Sequence, residues 1–122
     1  MGSKVLVVDD SLMSRRIVRG FLESEGHEVT EAADGMAALE RYSVEKPDLV
    51  LLDMVMVGMY GIQVLQKLRE IDAQARVVVT TADIQTSTRE MAEQAGSRGF
   101  VTKPIKKEEL LGVVNSVLGE PS

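Results

Sequence analysis

The sequence predicts an α/β domain built on a parallel β-sheet, and three observations carry that prediction. Strand-like and helix-like segments alternate from one end to the other. The strand expected at 48–53 is continuously apolar through Leu49-Val50-Leu51-Leu52 up to Asp53, as in a strand covered on both faces. Polar residues far apart in sequence each close a short apolar run: Asp9 and Asp10 after Val5-Leu6-Val7-Val8, Asp53 after Leu49-Val50-Leu51-Leu52, Thr81 after Val77-Val78-Val79, and Lys103 after Phe100-Val101. If these runs are parallel strands of one sheet, the five side chains emerge along a single edge, which is where open α/β sheets bind ligands.

A first strand is expected at about 4–8. Ser11 then caps a helix in which Leu12, Met13, Ile17, Val18, Phe21 and Leu22 recur at helical spacing, and Gly26 ends it. A weaker strand follows at about 28–32. Asp34 precedes a helix through Met36, Leu39 and Tyr42, which stops before Pro47 because the residue ahead of a proline disfavours helix. After the third strand at 48–53, Gly58-Met59-Tyr60-Gly61 predicts a flexible loop leading into a helix with Ile62, Leu65, Leu68 and Ile71. A fourth strand spans about 76–81. The helix at roughly 86–95 is the least apolar, with Met91 and Ala92 in a polar surround, and Gly96 ends it. A fifth strand at about 98–102 precedes Lys103-Pro104, and a last helix carries Leu110, Leu111, Val113, Val114, Val117 and Leu118. Gly119-Glu120-Pro121-Ser122 reads as a tail, or equally as the first residues of a linker.

The 122 residues are expected to form one domain, with a core over about 4–118. A chain of this size buries roughly two-thirds of its unfolded surface. The net charge of −5 leaves no basic footprint, so direct nucleic-acid binding is not expected. No segment reaches the roughly 20 apolar residues needed to span a membrane. Met1-Gly2-Ser3-Lys4 runs straight into a strand without the apolar core of an export signal, and zero cysteines exclude disulfides and thiolate metal sites. A cytoplasmic location is expected.

Three carboxylates, a hydroxyl and an ammonium at one sheet edge suit a divalent metal and a phosphate rather than a hydrophobic ligand, because hard cations take oxygen ligands and lysine pairs with phosphate. Taken singly, these residues have plainer readings: Asp10 as a helix start, Lys103 as a solvated charge. Their joint placement argues against those. Met54, Met56 and Met59 read as packing, since thioethers suit soft metals and no neighbouring ligands accompany them. His27, the sole histidine, is expected on an exposed turn and is a poor candidate for a catalytic base.

The acidic pair after the first strand, Asp53 after the third, Thr81-Ala82 after the fourth and Lys103-Pro104 after the fifth together resemble the receiver domain of two-component response regulators, over residues 4–118. Within that family the look is of single-domain, chemotaxis-type regulators. The resemblance implies a flavodoxin-like, doubly wound sheet of order 2-1-3-4-5 with five helices. It implies a magnesium ion held by Asp10 directly, by Asp9 mainly through water, by one oxygen of Asp53 and by the backbone carbonyl of Val55, with no other cofactor. Repulsion gives a reason for the cation: two like charges about 4 Å apart cost on the order of 4 kcal/mol at an effective dielectric near 20.

By the same resemblance Asp53 is the phosphoacceptor, attacking a phosphoryl group on a donor histidine, and the protein is a stoichiometric acceptor rather than an enzyme. Lys103 would neutralise phosphoryl oxygens, Thr81 would donate its hydroxyl to them, and Phe100 would follow that hydroxyl inward as the switch aromatic. The Lys103-Pro104 bond is cis in the family. Phe100 also has a plainer reading as a simple buried strand residue. Implied partners are a histidine kinase or phosphotransfer domain, meeting the first helix near Ser14, Arg15 and Val18. A downstream target would dock on the face of the fourth helix, fifth strand and fifth helix, where Arg89, Met91, Phe100, Thr102 and Lys106 are candidates. The implied state is a monomer or a phosphorylation-dependent dimer.

Two positions depart from the family pattern. Val57 stands where a proline is common, four residues after the phosphoacceptor, and Tyr60 where Asp or Asn is common. Val57 cannot hold the loop's φ as proline does. Val55 and Asp83 stand where phosphoryl lifetime is tuned, and Asp83 can either orient an attacking water or lie elsewhere. A non-switching adaptor and a metal-dependent phosphatase are the competing readings. The phosphatase expects an Asp-x-Asp pattern after the first strand, whereas this chain has adjacent Asp9-Asp10. A flavin carrier is disfavoured by the few aromatics and by acids where a phosphate loop would lie.

Overall fold

The computed structural model describes residues 2–56, 60–83 and 85–120. Among them, five strands alternate with five helices: β1 (Lys4–Val8), α1 (Leu12–Glu23), β2 (Glu28–Ala32), α2 (Gly35–Glu45), β3 (Leu49–Asp53), α3 (Gly61–Ile71), β4 (Val77–Thr81), α4 (Thr86–Gln94), β5 (Gly99–Thr102) and α5 (Lys107–Leu118). All strand pairings are parallel, in the order β2-β1-β3-β4-β5. This is the flavodoxin-like order implied by the resemblance, and its helices cover both faces.

Every residue of β3 and β4 is buried, which is why the runs Leu49-Val50-Leu51-Leu52 and Val77-Val78-Val79 are continuously apolar rather than alternating. Strand alternation divides the sheet between two cores. Leu6, Val8, Val50, Leu52, Val77 and Val79 pack with Ala38 and Tyr42 of α2, Val64, Leu65 and Leu68 of α3, and Ala92 of α4. On the opposite face Val5, Val7, Leu49, Leu51, Val78 and Val101 pack with Val18 and Leu22 of α1 and with Leu110, Val114 and Val117 of α5. The tyrosine at the rim of the first core is anchored as well as buried: Tyr42 Oη donates to Asp72 Oδ2 at 2.7 Å.

The helix ends follow the capping chemistry read from the sequence. Ser11 Oγ accepts from the Ser14 amide at 3.2 Å and Asp34 Oδ1 from the Ala37 amide at 2.8 Å. Gly26 and Gly96, beyond α1 and α4, take φ of +83° and +105°, values that a side chain disfavours. Only part of the apolar stripe predicted for α1 is covered. Val18 and Leu22 are buried, whereas Leu12, Met13 and Ile17 remain exposed. His27 is half-buried rather than on an exposed turn, its Nδ1 accepting from the Ser3 amide at 3.1 Å. Met54 and Met56 join the first core as expected of packing residues. The flexible loop expected at 58–61, the packing role of Met59 and the effect of Val57 fall wholly or partly on 57–59, outside the described residues; so do Pro121 and Ser122 of the tail.

Candidate functional site

The parallel sheet delivers the C-terminal ends of β1, β3, β4 and β5 to one edge, where Asp9, Asp10, Asp53 and Lys103 meet. Asp9 and Asp53 are both about 95% buried, and Asp10 is exposed beside them. One carboxylate oxygen from each of Asp9, Asp10 and Asp53 lies within 4.8 Å of the others. Lys103 reaches across from the end of β5, its Nζ donating to Asp9 Oδ2 at 2.9 Å and to Asp53 Oδ2 at 3.0 Å. The Lys103-Pro104 peptide that aims this side chain is cis.

The other oxygens of the two buried acids are engaged by nearby backbone. Asp9 Oδ1 accepts from the Ser11 amide at 2.8 Å, and Asp53 Oδ1 from the Val55 amide at 3.2 Å. Gly61 begins α3 directly against this corner. A Cβ there would overlap the backbone of Asp53 and Met54, so only glycine lets the helix start so close to the end of β3. Tyr60 stands at the N-cap of that helix, its amide donating to Gln63 Oε1 at 3.1 Å.

Burial raises the Asp53 carboxyl above its ordinary pKa; the bonds from Lys103 and the Val55 amide oppose this without cancelling it, and the neighbouring Asp9 charge adds to it. Burial alone would lower the Lys103 ammonium, but its bonds to Asp9 and Asp53 outweigh that and hold it above its ordinary value. Lysine is therefore firmly cationic, while the carboxylate it faces is held in a setting that disfavours its charge. Three hard oxygen donors, packed too closely to sit without a counter-charge, form a donor set suited to a divalent cation that keeps water or phosphate oxygens as its other ligands.

Thr81 is buried on the opposite parity of the sheet, sharing the face of Val77 and Val79 rather than that of Asp53. Its Oγ1 accepts from the Asp83 amide at 3.1 Å. The Asp83 carboxylate turns toward α4, accepting from Thr88 Oγ1 at 2.6 Å and from the Gln85 amide at 2.9 Å, so it is tied to the start of that helix. Phe100 is half-buried against the same core as Thr81's strand, with the Arg89 guanidinium 5.2 Å from its ring centroid. Arg89, Met91 and Lys106 are exposed, and Thr102 is half-buried.

The sequence reading missed a cluster beside the acids. Arg15 is not a free surface residue of α1: its side chain is 12% exposed, Nε donates to Glu31 Oε1 at 3.0 Å, and Nη1 donates to the Asp9 carbonyl at 2.6 Å. Val18 is buried as well. Of the residues named for a kinase contact, Ser14 remains accessible, on a cleft of about 170 Å³ that it shares with Ile17, Lys103, Pro104 and Ile105. The acidic partner on β2 carried no signal in the sequence, since Glu31 is one of many charged residues until the fold sets it opposite α1.

Comparison with known proteins agrees with this geometry. Residues 5–115 match the model of the response regulator receiver domain. The chemotaxis protein CheY of Bacillus subtilis is 38% identical over 119 residues, covering 97% of this chain and 99% of its own length. The sporulation initiation phosphotransferase F of the same organism is 34% identical over 118 residues, 97% of this chain and 95% of its own. Among solved structures, the Vibrio cholerae chemotaxis protein CheY4 superposes with a TM-score of 0.91 at 28% identity, over 96% of this chain and 99% of that one.

Proposed function

The chain belongs to the response regulator receiver family, and from that membership we propose that it is a phosphorylation-activated switch whose phosphoacceptor is Asp53. The observation that carries this reading is the Asp53 carboxylate itself: buried at the end of the central strand, bonded to Lys103 and within 4.8 Å of Asp9 and Asp10. The relatives named for chemotaxis and for phosphotransfer support it.

In the transfer an Asp53 oxygen forms a bond to phosphorus as the bond from phosphorus to the donor imidazole nitrogen breaks; that nitrogen keeps the electron pair and the imidazole leaves. Asp9, Asp10, Asp53 and the Val55 carbonyl would hold magnesium, which supplies charge neutralisation for the phosphoryl oxygens. Lys103, already between Asp9 and Asp53, would turn part of its hydrogen bonding to the phosphoryl group. Thr81 would donate a hydrogen bond from its hydroxyl to a phosphoryl oxygen, since the bond its Oγ1 now makes uses only its acceptor side. Phe100 and α4 lie on the parity of the sheet to which Thr81 belongs, so the response would reach the α4, β5 and α5 face, where a target protein binds. The Asp83 carboxylate is occupied by the Gln85 amide and the Thr88 hydroxyl, so it would not orient an attacking water unless those bonds open.

A histidine kinase or phosphotransfer domain would meet the site over α1, and the exposed Leu12, Met13 and Ile17 give that surface its apolar content. The reading places the protein in the cytoplasm; among the described residues no helix is long and apolar enough to cross a membrane.

Intact-mass analysis after incubation with acetyl phosphate, with and without magnesium, tests the proposal on the parent chain and on Asp53→Asn. A magnesium-dependent phosphoryl adduct on the parent, absent from Asp53→Asn, is expected. No adduct on the parent would overturn the switch and favour the adaptor.

A further inference from the structure

We infer that Arg15, clamped by Glu31, is a positioning residue for the metal-binding acids: it orients the peptide between Asp9 and Asp10 and through it the direction in which the Asp10 carboxylate leaves the backbone. The inference rests on the reading of the three aspartates as a magnesium site.

Asp9 is tied at both ends of its backbone, to β2 and to α1. Its amide donates to the Ala32 carbonyl at 3.2 Å, and its own carbonyl accepts from Arg15 Nη1 at 2.6 Å. That carbonyl belongs to the peptide unit that also carries the Asp10 amide. A peptide is planar, so fixing the C=O direction fixes the N–H direction and the start of Asp10's own bonds. The two Asp9 carboxylate oxygens are already held by the Ser11 amide and Lys103. Arg15 therefore completes a cage in which every polar group of Asp9 has a partner.

Glu31 makes the clamp directional. It lies on β2 opposite Val7, on the face that α1 covers. Arg15 Nε bonds one oxygen at 3.0 Å, while Arg19 Nη1 at 2.8 Å and Arg16 Nε at 3.5 Å take the other. Burial would raise the Glu31 carboxyl, but the bonds from Arg19 and Arg15 outweigh it and keep it ionised. With Nε held by Glu31, the rigid guanidinium fork aims Nη1 at the Asp9 carbonyl, a two-point geometry that lysine cannot reproduce.

The charge on Arg15 makes the test decisive, because electrostatics and positioning predict opposite signs. Removing a positive charge beside a cation site should tighten magnesium by charge alone; losing the brace should weaken it. Magnesium affinity by isothermal titration, and the Asp10 amide 1H–15N shift and Tm in metal-free protein, would be measured on the parent, Arg15→Gln, Arg15→Lys, Glu31→Gln and Arg16→Gln. Partners one shell behind a metal ligand typically contribute about 10–100-fold in affinity. Arg15→Gln and Arg15→Lys are each expected to weaken magnesium about tenfold and to shift the Asp10 amide. Glu31→Gln should follow them, and Arg16→Gln, whose side chain is 67% exposed, should not. A lower Tm with unchanged affinity and an unmoved Asp10 amide in both Arg15 variants would make the residue merely structural and overturn the inference. So would tighter binding in Arg15→Gln, or parent-like binding in Arg15→Lys. A parent chain that binds no magnesium would overturn the inference together with the reading of the site, which separates the two failures.

Discussion

On the α1 side of the site Asp9 is held through its amide, its carbonyl and both carboxylate oxygens, and the arginine behind it is held in turn by Glu31. On the α4 side Thr81 accepts one hydrogen bond from the Asp83 amide, and the Asp83 carboxylate is bonded to Gln85 and Thr88 at the start of a helix that buries only Ala92 among its described residues and has no side-chain bond at its N-cap. One wall is over-determined and the other lightly anchored. The difference fits the proposed switch: close-set carboxylates that would hold a cation must keep their spacing, whereas a segment that would report phosphorylation must change at little free-energy cost. Elements with few buried apolar contacts are the ones that open most easily.

Lys103 crosses from β5 to Asp9 and Asp53, and removing it should give the largest effect. Lys103→Ala is expected to slow acetyl phosphate labelling of Asp53 about 100-fold, the typical loss of one preorganised charge-stabilising donor. Single-turnover mass spectrometry would read the rate, and a change under threefold would show that the braced wall and the cation suffice.

Ala92→Gly probes the lightly anchored wall. A glycine inside a helix costs about 1 kcal/mol, so amide hydrogen exchange across α4 should accelerate about fivefold while magnesium affinity stays at the parent value. A matching fall in magnesium affinity would mean that the two walls are mechanically one.

Asp53→Asn gives the smallest effect and tests the electrostatics of the site. Because the folded-state pKa of Asp53 is raised, its ionised form costs stability at neutral pH; the cost is absent below the ordinary aspartate value of 3.8 and develops as pH rises through the raised value. The asparagine variant should therefore melt a few degrees above the metal-free parent at pH 7, with the gain vanishing in acid. A lower Tm at pH 7 would mean that the bond to Lys103 outweighs the burial cost.

Much of this comparison was hidden in the sequence. Asp9, Asp10, Asp53, Thr81 and Lys103 were legible because each ends a strand, and a parallel sheet sends all such ends to one edge. Glu31 was not legible, since its side chain is of the same type as that of Glu28 three residues earlier, and only the β2 register, which sets it opposite Val7, places it under α1. Arg15 was singled out only through the resemblance, as a kinase contact on α1, yet its fork is spent on Glu31 and a backbone carbonyl. The apolar stripe of α1 erred in the other direction: Leu12, Met13 and Ile17 have the spacing of a buried face but extend past the edge of the sheet into solvent.

The amino-acid sequence by itself determined the fold class, the order of elements and the residues gathered at the functional edge, because hydrophobic periodicity and strand-end chemistry are local properties. Tertiary structure alone decided which charges pair, which apolar side chains stay uncovered, and that Asp53 and Thr81 belong to opposite parities of the sheet with different helices behind them. Those outcomes depend on distances between segments far apart in the chain, and no local pattern encodes them.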